Sequence, residues 1–238
     1  MNTWIKITGV LALMLAIQGC STAGVRGNGD IVTQAIESQS FSEVSLRGHY
    51  SATINVGEAE SIAITTDANI QPYITTSVSM DRLTIKSERS ISGTDKVKLE
   101  LGLQELNDLN ISGSSRVAIN GKVTGDLASS ISGSGSIELE SIEGDTFEVS
   151  VSGSGGFKAT GSVETLDIDI SGSGNLDLSN LNVKHAKVSI SGSGTVKLGQ
   201  VEKLDGAISG SGSITYQGST MLSIKTSGSA SVKSMGSE

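Results

Sequence analysis

Few residues in this 238-residue chain are of a type and spacing that could do chemistry. Asp167 and Asp169 stand two apart, with Glu148 and Lys187 about twenty residues to either side. Paired carboxylates are the groups needed for acid/base work on a glycosidic bond. The other reading of the four is a solvated face with ion pairs between neighbouring segments. His49 and His185 are far apart, and neither has a second His or a Cys at ligand spacing, so no metal site is expected. Serine is abundant, but no Gly-x-Ser-x-Gly elbow and no Ser-x-x-Lys pair occurs. The glycine-rich turns lack both the Asp of calcium-binding repeats and the Gly-Lys-Ser/Thr ending of a phosphate loop, so no cofactor is expected.

The remaining reactive group is Cys20, the only cysteine. It follows one positive charge at Lys6 and an apolar run over residues 7–17, too short to span a bilayer but of signal-peptide length. Ile17-Gln18-Gly19-Cys20 resembles a bacterial lipobox, in which the thiol is acylated and becomes the mature N-terminus. Residues 1–19 then read as a signal peptide and 20–30 as a lipidated tether. Ser21 in the next position is similar to the sorting pattern of outer-membrane lipoproteins. The expected location is across the inner membrane, held to the outer membrane by the lipid and facing the periplasm or the surface. A lone cysteine also rules out a disulfide within the chain.

The elements that must position any site are set by a repeat. A turn that opens with Ser-Gly-Ser recurs seven times, starting at residues 112, 132, 152, 171, 191, 209 and 227, with intervals of 18–20 residues. Offsets of −5, −3, −1, +5 and +7 from the first Ser are predominantly aliphatic, while the even offsets between them are polar. Period-two alternation describes an extended chain with one buried face. A third apolar position follows at Val123, Ile142, Val163, Leu181 and Val201, which suggests a short third side. Parity places Gly113, Gly133, Gly153, Gly172, Gly192, Gly210 and Gly228 on the inward face, at a bend that only glycine tolerates. One outward column reads Glu138, Lys158, Asp177, Lys197, alternating in sign as stacked rungs ~4.8 Å apart would favour. The fold class is therefore all-β, a single-stranded parallel β-helix or β-solenoid with ~18–20 residues per coil. Thirty glycines, one proline and 3% aromatic residues agree with thin aliphatic layers rather than an aromatic-filled core.

Residues 107–238 form the repeat region. Residues 31–106 read as irregular strands at 43–47, 50–56, 61–66, 71–78, 82–87 and 96–103, either a cap or irregular first coils. Three segments of this part carry a family resemblance. They are Gly27-Asn28-Gly29-Asp30, Phe41-Ser42-Glu43-Val44 with Tyr50-Ser51-Ala52-Thr53-Ile54, and Asp67-Ala68-Asn69-Ile70. With the strand Arg82-Leu83-Thr84-Ile85 and the segment from Leu106 to Ser114, the chain resembles the bacterial auto-transporter adhesin head GIN domain family over about residues 27–230. The resemblance implies a right-handed, single-stranded β-helix in a secreted or envelope-anchored protein, and adhesion by analogy with the family's name.

The formal net charge of −8 argues against nucleic acid as a partner. The leading functional expectation is a non-enzymatic envelope lipoprotein that presents its solenoid for adhesion, protein contact or scaffolding. The expected partners are the membrane through Cys20 and an unidentified protein or glycan. One alternative is a glycan-binding module or carbohydrate-active enzyme using Asp167, Asp169 and their neighbours, or a flat ladder of serine hydroxyls. A second is a self-assembling element, because the last rung at 231–234 leaves a strand edge on which a second copy could pair.

Overall fold

The computed structural model describes residues 24–92 and 97–235, so Cys20 and the apolar run before it lie outside the described residues. The first part of the chain holds β1 (Val25–Arg26), β2 (Ile31–Ile36), β3 (Glu43–Gly48), β4 (Ser51–Val56) and β5 (Ser61–Asp67). It continues through β6 (Ile74–Ser79), β7 (Arg82–Ser87), β8 (Ile91–Ser92) and β9 (Val97–Leu103). The repeat region holds β10 (Asp108–Gly113), β11 (Arg116–Thr124), β12 (Leu127–Gly133), β13 (Ser136–Gly153) and β14 (Gly156–Gly172). After these come β15 (Asn175–Gly192), β16 (Thr195–Gly210), β17 (Ser213–Gln217), β18 (Met221–Gly228) and β19 (Ser231–Ser234). All but β1 and β8 belong to one 17-stranded sheet, and every pairing within the repeat region is parallel. This is a β-solenoid.

The glycine of each Ser-Gly-Ser stacks on the glycine of the next coil without a break in register, from Gly113 through Gly228. These glycines have φ of 111–127°, a region closed to residues with a Cβ. A Cβ there would collide with the carbonyl oxygen of the equivalent glycine one coil earlier. That same oxygen accepts the N–H of the following Ser in the next coil, as in Ser134 to Gly113 at 2.9 Å and Ser173 to Gly153 at 2.8 Å. The bend therefore turns the chain without orphaning its backbone groups. This corrects the parity reading in one respect. Positive φ swings the missing side-chain direction out of the in/out alternation and along the stack, so the central glycine faces its neighbour's backbone rather than the core. The inward position belongs to the residue two after it, a second glycine in five of the seven turns and Ser115 or Ala230 in the other two. A Cβ on Gly135, Gly155, Gly174, Gly194 or Gly212 would lie 2.7–2.9 Å from a branched methyl of an inward Ile or Val.

Coil length varies between 18 and 20 residues, and the slack is taken up at the second corner. Register shifts fall between Leu139 and Ile142, between Lys158 and Thr160, and between Leu178 and Val183. Beyond that corner Val123, Ile142, Val163, Leu181 and Val201 are all buried and form the third side. One continuous cluster runs from Phe41 to Tyr216, almost wholly aliphatic, with Phe147 and Phe157 meeting edge to face at 5.5 Å. Burying each such aliphatic side chain contributes roughly 1.5–3 kcal/mol, so the inward rows carry most of the stability.

Residues 31–106 enter the same stack by an unexpected path. β3 and β4 make a rung whose repeat-side neighbours are β10 and β11 and whose other neighbours are β7 and β9. The chain thus lays down a rung, adds another outside it, and crosses back to begin the repeats. Beyond β7 and β9 the pairing turns antiparallel, with β6 on β7, β5 on β9 and β2 on β5. The sequence places a strand at 71–78, but Gln71–Tyr73 is a 3-10 turn and the strand begins only at Ile74. Pro72 explains the delay, since it has no N–H to give a ladder and holds its φ near −65°. β2 was not anticipated at all, because it is an outer strand with most of its residues exposed and so lacks a buried alternate row.

Two glycine substitutions separate the two roles. Gly172→Val should lower stability by about 3 kcal/mol or more, combining a forbidden φ with a backbone collision. Gly156→Ala should change stability by less than about 1 kcal/mol, because its Cβ meets nothing closer than 3.7 Å. Thermal unfolding of both variants checks this. Equal melting temperatures would mean that the glycine column does not fix the bend.

Candidate functional site

Register turns each outward position into a column along the solenoid. Glu138, Lys158, Asp177 and Lys197 are consecutive partners in one such column. Lys158 Nζ donates to Glu138 Oε1 at 2.9 Å. The Ser179 hydroxyl at 2.6 Å, with Lys197 and Lys158 more weakly, holds the Asp177 carboxyl below the usual carboxylate range. These are exposed groups screened by solvent, and such pairs add little to stability. Their effect is on register more than on stability.

Glu148, Asp167 and Lys187 are also consecutive partners, with Asp169 in the adjacent column beside Ser150 and Ser189. Lys187 Nζ lies 3.1 Å from Asp167 Oδ2, and this contact, with weaker attraction from Asp169 and Glu148, raises the Lys187 ammonium. Asp167 Oδ1 is covered and has no hydrogen-bond partner among the described residues. The four residues are brought together, but as a charge-paired patch on the face of a sheet. The next rungs continue it, with His185 Nε2 at 2.7 Å and Lys203 Nζ at 2.9 Å from Asp205 Oδ2. A carboxylate engaged by two cationic or donor groups is a poor general base. No set of three His, Asp or Glu side chains among the described residues is arranged to hold a metal.

The serine ladder takes a different shape from the plane expected of it. Ser112, Ser132, Ser152, Ser171, Ser191, Ser209 and Ser227 do stack in register. They flank the glycine column at the bend, so their hydroxyls form a ridge along a corner.

Three features escaped the sequence reading. Gly48 is an eighth member of the glycine column, with φ of 151° and Gly113 as its partner. Its flanking Arg47 and His49 replace the serines, and a 65-residue gap hides the period. Tyr50 fills the inward turn position instead of a small residue; its hydroxyl donates to the Arg47 carbonyl at 2.9 Å, and burial pushes the phenol far above its ordinary range. At the capped end, Asp67 and Asn69 hold the segment at residues 26–30. Asp67 Oδ1 accepts from Gly29 N–H, Asn69 Oδ1 accepts from Asn28 N–H at 3.0 Å, and Asn69 Nδ2 donates to the Arg26 carbonyl at 2.8 Å. Gly27 lies so close to the Asp67 carboxylate that a Cβ there would overlap it.

The third feature is a groove of about 790 Å³ along the third side. Gly125, Gly144, Val163, Val183 and Val201 lie along its middle. One flank carries Glu143, Ser162, Asn182 and Gln200, and the other carries Asp145, Glu164, Lys184 and Glu202. The third-side aliphatic positions were the available signal, since the flanking residues on both sides are polar and must face outward.

Acid stability follows from the carboxylates. Lys122 beside Glu143, Ser179 beside Asp177, and Lys203 with His185 beside Asp205 hold these three groups below their ordinary values. Desolvation raises Asp108, with Arg82 opposing it, so that group acts in the other direction. For the three lowered groups, and for Glu88, which Lys86 also lowers, the unfolded chain takes up protons at higher pH than the folded chain. Their contribution is therefore complete above the ordinary carboxylate range and is lost as pH falls through the folded values. The melting temperature should be level from about pH 7 to 5 and decline below about pH 4. A rise in melting temperature over that lower interval would contradict the assignment.

Comparison with known proteins places this geometry in context. Residues 40–220 match the family model described as "Putative auto-transporter adhesin, head GIN domain". A crystal structure of a putative adhesin from Bacteroides fragilis superposes with a TM-score of 0.83 at 22% identity, covering 89% of this chain and 100% of that one. A putative adhesin from Parabacteroides merdae gives 0.72 at 22%, covering 89% and 98%. A protein from Parabacteroides distasonis titled a putative lipid binding protein gives 0.72 at 24%, covering 89% and 99%. At these identities the likeness is one of fold. No curated protein matches the chain.

Proposed function

From the premise that the chain belongs to the auto-transporter adhesin head GIN domain family, we propose that it is a non-enzymatic cell-envelope lipoprotein that presents a β-solenoid for adhesion or protein contact. The family match over residues 40–220 carries this reading. Two further observations support it. Asp167, one of the two aspartates best spaced for catalysis, is engaged by Lys187 outside the groove on the third side, and the surface is built from repeated columns of small polar and paired charged side chains. Such a surface offers the same chemistry rung after rung, which suits an extended contact better than a single reaction. The cysteine at position 20 supplies the anchor, and no helix among the described residues is long and apolar enough to cross a membrane.

Fractionation and capture test the two halves together. The wild-type chain should sediment with membranes and retain envelope proteins after cross-linking, whereas Cys20→Ser should appear in the soluble fraction. Membrane association that survives Cys20→Ser would remove the lipid anchor. Capture of no envelope component by either form would remove the adhesive role.

A second reading, self-association through the solenoid's end, has its own observation. Met221 and Leu222 on the terminal rung are 69% and 47% exposed, at the opposite end from the cap made by β2, β5 and β6. An apolar strand edge left open is a template for another strand. Light scattering should show dimers or larger species for the wild-type chain and monomers for Met221→Lys/Leu222→Lys. A strictly monomeric wild type would reject end-on assembly.

A further inference from the structure

The glycine corner changes character at one end of the solenoid. Through the repeat coils the column before the turn is serine from Ser112 to Ser227. The column after it holds Ser, Gly, Asn or Thr from Ser136 to Ser231. Toward the cap the same two columns turn cationic. Ser112 is followed by Arg47 and then Lys86, and Ser136 by Arg116, Ser51 and Lys98. In the connection between β7 and β9, Arg89 lies over the Tyr73 ring at 5.3 Å, and β8 holds Arg26 beside Ser92. Three exposed carboxylates, Asp30, Glu88 and Glu100, accompany these six cations among the described residues. Lys86 is paired with Glu88, but Arg26, Arg47 and Lys98 are exposed and make no ion pair with any described residue. In a chain of net charge −8, this corner holds a local excess of positive charge.

The tether enters the fold at the same corner. Val25 N–H donates to the Ser90 carbonyl at 2.7 Å, and the clasp of Asp67 and Asn69 fixes residues 26–30. From Cys20 to Val25 is five residues, which reach at most ~17 Å when fully extended. A bilayer holding a lipid on Cys20 therefore lies within that distance of the corner. The coil of Gly228 is seven intervals from that of Gly48, ~34 Å away along the stack. What the tether brings against the corner is a membrane surface. Its anionic lipid phosphates complement unpaired guanidinium and ammonium groups.

We propose that the cationic corner docks on the anionic headgroups of the bilayer that holds the Cys20 lipid. The solenoid then stands on its capped end and presents its far coils outward. The proposal rests on the lipid-anchor reading and adds an orientation to it. Each Lys or Arg at an anionic surface strengthens partitioning by about fivefold. The acyl chains supply the hold, and the cations fix which face meets the surface.

The test uses the mature acylated chain in vesicles of phosphatidylcholine with or without phosphatidylglycerol. With Cys20 acylated, Ser112→Cys or Ser227→Cys supplies the one thiol for a fluorescent label, at two points of one column ~29 Å apart. A headgroup spin-labelled lipid should quench the label at residue 112 about twofold or more over that at 227, the difference growing with phosphatidylglycerol and shrinking with salt. Arg26→Gln/Arg47→Gln/Lys98→Gln should remove the difference. Lys197→Gln/Lys225→Gln/Lys233→Gln takes the same charge from the far coils and should preserve it. All six positions are exposed, and an unchanged melting temperature would show that the variants remain folded. Equal quenching at the two labels, or a difference that the first triple variant leaves intact, would overturn the proposal with the anchor still standing. A chain that matures without an acyl group would remove the anchor reading itself. Co-sedimentation of that chain with the two kinds of vesicle then decides the corner alone. A loss of about fivefold per cation in the first triple variant supports it, and no loss overturns it.

Discussion

The structure depends on one contact, the approach of a glycine to the carbonyl of the glycine beneath it. At that point the chain must turn a corner while each coil stays within hydrogen-bonding distance of its neighbour. A side chain would have to stand where the lower carbonyl oxygen already is, and a positive φ would strain any residue carrying one. With glycine the corner keeps its ladder, and the following Ser N–H closes on that oxygen. An unbroken corner sets the phase of each coil against the last, and that phase is what keeps the inward rows in line.

Once phase is set, side chains sort into columns and energetics divides between the two faces. The inward columns are aliphatic from Phe41 to Tyr216 and carry the burial. The outward columns are polar, and their ion pairs are exposed, so they select one register over its neighbours more than they stabilise the fold. The second corner behaves differently. It accepts register shifts, and there the coil gains or loses residues without disturbing the glycine column. The groove lies just past this looser corner, which lets its flanks vary in chemistry while its aliphatic middle remains part of the stack.

The two ends are asymmetric. At one end the parallel stack converts to antiparallel pairing, and Asp67 and Asn69 fasten the segment at residues 26–30 over it. At the other, β18 and β19 close the stack with one side of each strand unpaired within the described residues and with Met221 and Leu222 in solvent. Parallel stacking thus stops at the capped end, whereas at the far end β18 and β19 each have a partner on one side only among the described residues.

The sequence alone determined the repeat, the in/out alternation, the stacked charge column and the third aliphatic side, because each is a periodic property of neighbouring residues. It also carried the lipobox pattern and the family resemblance, which are local strings. Tertiary structure alone decided where Gly113 and its equivalents point, since a positive φ breaks the alternation on which parity relies. It alone revealed Gly48 as a member of the same column, because the crossing of β3 and β4 between β7 and β10 separates partners in sequence that touch in space. The candidate sites followed the same division. Glu148, Asp167 and Lys187 were legible as neighbours from their spacing, yet only their shared sheet face and their ion pairing showed what they do there. The groove required the second corner, whose register shifts no period can encode. What repeats along a chain can be read from it; what depends on a bend in φ, a crossover or a shifted register exists only once the coils are stacked.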